Sequence, residues 1–138
     1  MVALNSLSKN TALALSGALL TAISFTVVNG EAQKDFKLSC QSWFLNGTTF
    51  TAFCNSPSGG FGVQSSLDLN RCIANFNGIL VCAQNGFYSQ SCRNCAVTPP
   101  PGSVLSCECQ EVFSGPFIPA SFDLNTCVSD LNGSLACP

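Results

Sequence analysis

Cysteine is the residue type best placed to do chemistry in this 138-residue chain: there are ten, all beyond Ser39, and there is no histidine. Without imidazole the commonest general base and metal ligand is missing, which excludes a Ser-His-Asp or Cys-His catalytic site. An even cysteine count in a small domain with only 9% charged residues reads as a disulfide framework of up to five bridges. Each bridge is worth ~2 to 4 kcal/mol. The competing chemistry is zinc, since Cys92-x-x-Cys95 and Cys107-x-Cys109 resemble two halves of a four-thiolate site. An oxidising compartment and the pairwise spacing of the other cysteines favour bridges, so no metal and no cofactor is expected. The best carboxylate pair for hydrolysing a glycoside is Asp68 with Asp123. Both sit in turn sequences and repeat each other, so no enzyme is expected. With Asp plus Glu at 7 and Lys plus Arg at 5 the chain has no basic stripe to neutralise phosphates, which argues against nucleic acid.

The compartment is indicated by the N-terminus. Thr11 to Val28 carries no charge, follows Lys9, and leads to small residues at Val28, Gly30 and Ala32. That order predicts a cleaved secretory signal over residues 1–30 and a mature domain over 31–138, secreted and extracellular, with no membrane span. An uncleaved anchor is the alternative, because the apolar stretch approaches a spanning length.

The elements that must position these residues are written twice. Ser66 to Cys82 returns 55 positions later as Ser121 to Cys137, with nine of the 17 positions identical. Repeat one covers about 34–85 and repeat two about 86–138. In each copy an Asp-Leu-Asn turn feeds a hairpin centred on Asn77-Gly78 or Asn132-Gly133, the pair best suited to two successive positive φ angles. The cysteines flanking each hairpin stand ten residues apart, which suggests local clips joining Cys72 to Cys82 and Cys127 to Cys137.

Ahead of each copy lies another hairpin. A first strand starts at Phe36-Lys37-Leu38-Ser39-Cys40 and continues through Trp43; Asn46-Gly47 turns; Thr48 to Cys54 returns, rich in β-branched and aromatic residues. Cys40 and Cys54 then face each other. In the second half Tyr88 to Cys92 and Val104 to Cys109 play the same parts around a loop lengthened by Pro99-Pro100-Pro101-Gly102. Cys92 with Cys109, nested around Cys95 with Cys107, is the preferred pairing, although the unbroken offset of 55 equates Cys40 with Cys95 and spacing does not fix connectivity. No helical period is long enough for a sizeable helix, so the chain is all-β. Ala83-Gln84-Asn85-Gly86 should be the hinge. Trp43, Phe44, Phe50 and Phe53 are candidates for core or interface packing or for an exposed aromatic platform.

Taken together the residues resemble the cyanovirin-N homologues, small secreted lectins of two tandem repeats. The likeness rests on the Cys40–Cys54 hairpin with Asn46-Gly47, on Ser-Leu-Asp-Leu-Asn leading to Ile73-x-Asn75-x-Asn77-Gly78-x-Leu80, and on Tyr88-Ser89-x-Ser91-Cys92-Arg93-Asn94. The resemblance covers about Asp35 to Cys137. It implies a three-stranded sheet and a hairpin from each repeat, with the hairpins exchanged so that each pseudo-twofold half mixes both repeats. A monomer or a domain-swapped dimer is compatible with that plan.

The resemblance also implies partners and sites: oligosaccharides or glycoproteins, high-mannose or related, bound without metal. One site would use Lys34, Asp35, Ser39, Asn55 and Pro57 with Asp130, Leu131 and Asn132. The other would use Ala74, Asn75, Gly86, Phe87, Gln90, Ser91, Gln110 and Glu111. Amides, carboxylates and backbone groups suit sugar hydroxyls, which donate and accept in pairs. This chain departs from the family at Ala74, where an acidic residue is usual, at Phe87 for asparagine, at Gln110-Glu111 for a basic pair, and at Asp35 for lysine. The ten cysteines include six beyond the family's usual four. Asn46-Gly47-Thr48 and Asn132-Gly133-Ser134 are N-glycosylation sequons; a glycan on Asn132 would sit on the first site, while one on Asn46 would be harmless. The alternative to a lectin is a secreted cysteine-rich interaction or effector protein that keeps the scaffold without binding sugar.

Overall fold

A computed structural model describes residues 35–57, 59–60 and 62–137. The expected signal segment 1–30 and Lys34 lie outside the described residues. Among the described residues ten strands follow one another: β1 (Cys40–Asn46), β2 (Thr49–Cys54), β3 (Val63–Asp68), β4 (Ile73–Phe76), β5 (Ile79–Cys82), β6 (Cys92–Val97), β7 (Val104–Gln110), β8 (Phe117–Asp123), β9 (Ser129–Leu131) and β10 (Ser134–Ala136). They form two three-stranded antiparallel sheets, β1-β2-β3 and β6-β7-β8, and two hairpins, β4-β5 and β9-β10. The fold is therefore all-β and doubled, as the repeat requires. Among the described residues no helix is long and apolar enough to cross a membrane.

Local chemistry explains the turns. Asn77-Gly78 has φ of 53° and 86°, and Asn132-Gly133 has φ of 55° and 89°, the two positive angles that a twist-matched hairpin needs. Asp68 and Asp123 each accept from the backbone N–H two residues on, at 3.0 Å, and so start the 3-10 turns Leu69–Arg71 and Leu124–Thr126. Phe36–Leu38 and Tyr88–Gln90 are also 3-10 turns, not the strand starts expected for them. The cause lies in the other repeat. Asn125 accepts from the Lys37 N–H at 3.1 Å and its carbonyl takes the Asp35 N–H at 3.0 Å; Asn70 treats Ser89 and Phe87 in the same way at 3.1 and 2.9 Å.

The hairpins are exchanged. β9-β10 from repeat two packs on β3, where the Leu135 N–H donates to Ser65 Oγ at 2.8 Å, and β4-β5 from repeat one packs on β8. The bridges follow this exchange and correct the local clips: Cys72 bonds Cys137, and Cys82 bonds Cys127. A repeat offset of 55 maps each of these bridges onto the other. Cys40–Cys54, Cys92–Cys109 and Cys95–Cys107 stay within their own hairpins. With all four sulfurs of Cys92, Cys95, Cys107 and Cys109 in bridges, the zinc alternative has no thiolate left.

One core runs through both halves. Phe36 packs edge-on against Trp43 and Phe50, with ring centroids 5.0 and 5.4 Å apart. Leu69, Leu124, Ile73 and Val128 are fully buried repeat mates between the halves. Each such side chain contributes roughly 1.5–3 kcal/mol relative to exposure. Trp43 and Phe50 thus belong to the core, and Trp43 Nε1 donates to Gly102 O in the proline-rich loop at 2.9 Å. Phe53 is partly buried and Phe44 half-exposed. The segment expected to be a hinge is tied down: Ala83, Asn85 and Phe87 donate to the carbonyls of Cys72, Arg71 and Asn70 at 2.8–2.9 Å. A Cβ on Gly86 would collide with Ala74 and the Ile73 carbonyl, so glycine is required there.

Candidate functional site

The exchange places the tip of each hairpin against loops of the other repeat's sheet, and a groove forms at each junction. The first, about 280 Å³, is lined by Asp35, Leu38, Ser39, Asn55, Pro57, Asp130 and Asn132. The second, about 380 Å³, is lined by Asn75, Asn77, Gly86, Phe87, Gln90, Ser91, Gln110 and Glu111, with Val112 and Phe113. Of the expected first-site residues, Leu131 is on the hairpin tip but does not line the groove, and Lys34 is outside the described residues. In the second, Ala74 serves as the bridge partner of Phe87 and does not line the groove. Leu38, Asn77, Val112 and Phe113 were not anticipated. Asn77 was available from the repeat itself, because it is the mate of Asn132.

The two grooves share a skeleton. In the first, the Asn55 N–H donates to the Ser39 carbonyl at 2.9 Å; in the second, the Gln110 N–H donates to the Ser91 carbonyl at the same distance. Asp130 Oδ1 accepts from the Gly133 N–H and Asn75 Oδ1 from the Gly78 N–H, both at 2.8 Å. These backbone donors fix which oxygen faces the turn, and so fix the second atom of each side chain. There the sites diverge. The Ser39 hydroxyl donates to Asp130 Oδ2 at 2.5 Å, whereas Asn75 Nδ2 donates to Ser91 Oγ at 2.8 Å and to the Gln110 carbonyl at 2.9 Å.

The consequence is an inversion of polarity. Ser39 has spent its proton and offers lone pairs to a ligand, while Ser91 accepts from asparagine and keeps its proton to donate. The first groove also holds two carboxylates, Asp35, which accepts from Asn125 Nδ2, and Asp130. Asn55 Oδ1 is buried there with no hydrogen-bond partner among the described residues, an acceptor that a bound donor would satisfy. In the second groove the mate of Asp35 is Phe87, half-exposed at 49% with φ of 50°, and Phe113 stands 97% exposed on the rim.

Among the described residues one group of side chains has the spacing of a metal site, Cys40 and Cys54 with Asp130. Asp130 comes within 4.8 Å of the sulfurs of Cys40 and Cys54, but those sulfurs are bonded to each other. The carboxylates considered for glycoside cleavage do structural duty: Asp68 starts its turn, and Asp123 also accepts from Ser103 Oγ at 2.6 Å.

The CVNH domain family model matches residues 36–137. A CVNH protein of T. borchii of known structure is 30% identical, with a TM-score of 0.62 over 75% of this chain and 99% of its own. A MoCVNH3 variant solved in complex with (N-GlcNAc)4 is 19% identical, with a TM-score of 0.68 over 79% of this chain and 100% of its own. The Gibberella zeae CVNH protein is 24% identical, with a TM-score of 0.61 over 75% and 96%. No curated protein matches the sequence. Bridged hairpins exchanged between two repeats, a groove at each junction and a family match spanning nearly every described residue lead to one conclusion: the chain belongs to the CVNH domain family.

Proposed function

We propose that this protein is a secreted lectin that binds oligosaccharides, high-mannose or related, through its two grooves and without metal or catalysis. The observation that carries this reading is the pair of pseudo-equivalent grooves, each joining a hairpin tip of one repeat to sheet loops of the other and lined by amides, hydroxyls and carboxylates. Such groups donate and accept at fixed angles, which is how adjacent sugar hydroxyls are recognised. The saccharide bound to the MoCVNH3 variant supports the class of ligand. The apolar leader sequence and five bridges support export to an oxidising compartment. Binding of the unglycosylated chain to a glycan array tests the proposal: retention on mannosides is expected, and silence across all glycans would sink it.

A second reading is a scaffold-retaining interaction protein. Phe87, Val112 and Phe113 on the second groove, with Phe76 and Ile79 exposed at the nearby hairpin tip, make an apolar rim that a protein partner could cover. An array without hits would favour it.

A further inference from the structure

We propose that N-glycosylation of Asn132 closes the first groove and converts a two-site protein into a one-site protein. The inference rests on the saccharide reading above and concerns the regulation of that site. Asn132 lines the first groove beside Ser39, Asn55 and Asp130, is exposed, and its side chain is held by no hydrogen bond among the described residues. Ser134, the hydroxyl residue of the sequon, is exposed as well. The hairpin tip is not free to carry a glycan away. The Gly133 N–H is tied to Asp130, and a Cβ on Gly133 would meet Ser56 Cβ at 3.1 Å, so the turn is pressed against the neighbouring loop. A glycan starting on the groove wall therefore begins within the space a ligand would need.

The other groove is spared by one residue. Its equivalent turn reads Asn77-Gly78-Ile79, where isoleucine replaces the required hydroxyl. The second sequon, at Asn46 on the β1–β2 turn, lines neither groove and serves as an internal control. The chemistry is the ordinary transfer from a lipid-pyrophosphate-linked oligosaccharide. The Asn132 Nδ2–sugar C1 bond forms as the bond from C1 to the pyrophosphate oxygen breaks; the lipid pyrophosphate leaves with the electron pair, and the amide nitrogen loses one proton. Losing one of two sites abolishes cross-linking of multivalent glycans, so the modification would set valency as well as affinity.

The test compares the full chain secreted from a eukaryotic host with its S134A and S134T variants and with unglycosylated protein made oxidatively in bacteria. Glycopeptide mass and mannobiose titration followed by amide NMR are the readouts. The parent and S134T should carry a glycan at Asn132 and bind one equivalent, with shifts at Asn75, Ser91 and Gln110 only. S134A and the bacterial protein should bind two, adding Ser39, Asn55 and Asp130. Absence of a glycan on Asn132 in the secreted parent, or two equivalents bound despite it, overturns the proposal. If the bacterial protein binds in neither groove, the saccharide reading itself fails and the gate falls with it.

Discussion

Cys72 is bonded to Cys137, not to Cys82 ten residues away on its own hairpin. The bridge and its repeat mate Cys82–Cys127 clamp the base of each hairpin to the base of the other. Both grooves depend on that exchange, so the clamp is where the fold and the function meet. The Cys72–Cys137 bond closes a loop of 65 residues, and chain entropy assigns such a loop about 4 kcal/mol. The C72A/C137A double variant should lose ~2 to 4 kcal/mol in urea unfolding, and peptide mapping of the parent should recover Cys72 with Cys137. A Cys72–Cys82 peptide would refute the pairing.

Phe87 occupies the left-handed region, which a bulky side chain enters at a cost of order 1–3 kcal/mol. Asparagine tolerates that conformation better. F87N should therefore raise the free energy of unfolding by as much as about 1 kcal/mol after the lost ring burial is counted, read as a higher urea midpoint at unchanged slope.

Tyr88 is the chain's only tyrosine, and its pKa is pushed up to about 12, chiefly by burial and then by the Asp68 charge. The folded state therefore keeps the phenolic proton longer than the unfolded state does. The stability this phenol contributes is complete below pH ~10 and is lost as pH rises toward 12, about 2 to 3 kcal/mol in all. Tyrosinate absorbance should show native titration near pH 12 and unfolded titration near 10. The buried hydroxyl has no hydrogen-bond partner among the described residues, so Y88F should be neutral or stabilising by ~1 kcal/mol and should remove this alkaline loss.

Asp68 and Asp123 are repeat mates with unequal burdens. D68A removes a turn contact worth about 1 kcal/mol. D123A removes the same contact and also strands the buried Ser103 hydroxyl, bringing its expected cost to ~2 to 3 kcal/mol. Equal losses in chemical denaturation would contradict this assignment.

What the sequence disclosed was what is local. The Asn-Gly turns, the Asp-Leu-Asn starts and the doubled plan could all be read because neighbouring residues alone determine them. The bridge partners of Cys72 and Cys127 could not. Local clips and exchanged bridges obey the repeat equally well, and only the tertiary crossing of the hairpins chooses between them. Phe36 to Leu38 looked extended for a similar reason, since the turn is imposed by Asn125 from the far repeat. In the grooves, Ser39, Asn55, Asp130, Asn75, Ser91 and Gln110 came from family likeness, and Asn77 was implicit in the offset. Leu38 and Phe113 reach their grooves through loop conformation, on which no pattern in the chain reports.

The most direct measurement is amide NMR of the unglycosylated chain titrated with mannobiose. The account predicts saturable shifts confined to two clusters, one around Ser39, Asn55 and Asp130 and one around Asn75, Ser91 and Gln110. Shifts centred elsewhere, or none at millimolar sugar, would contradict it.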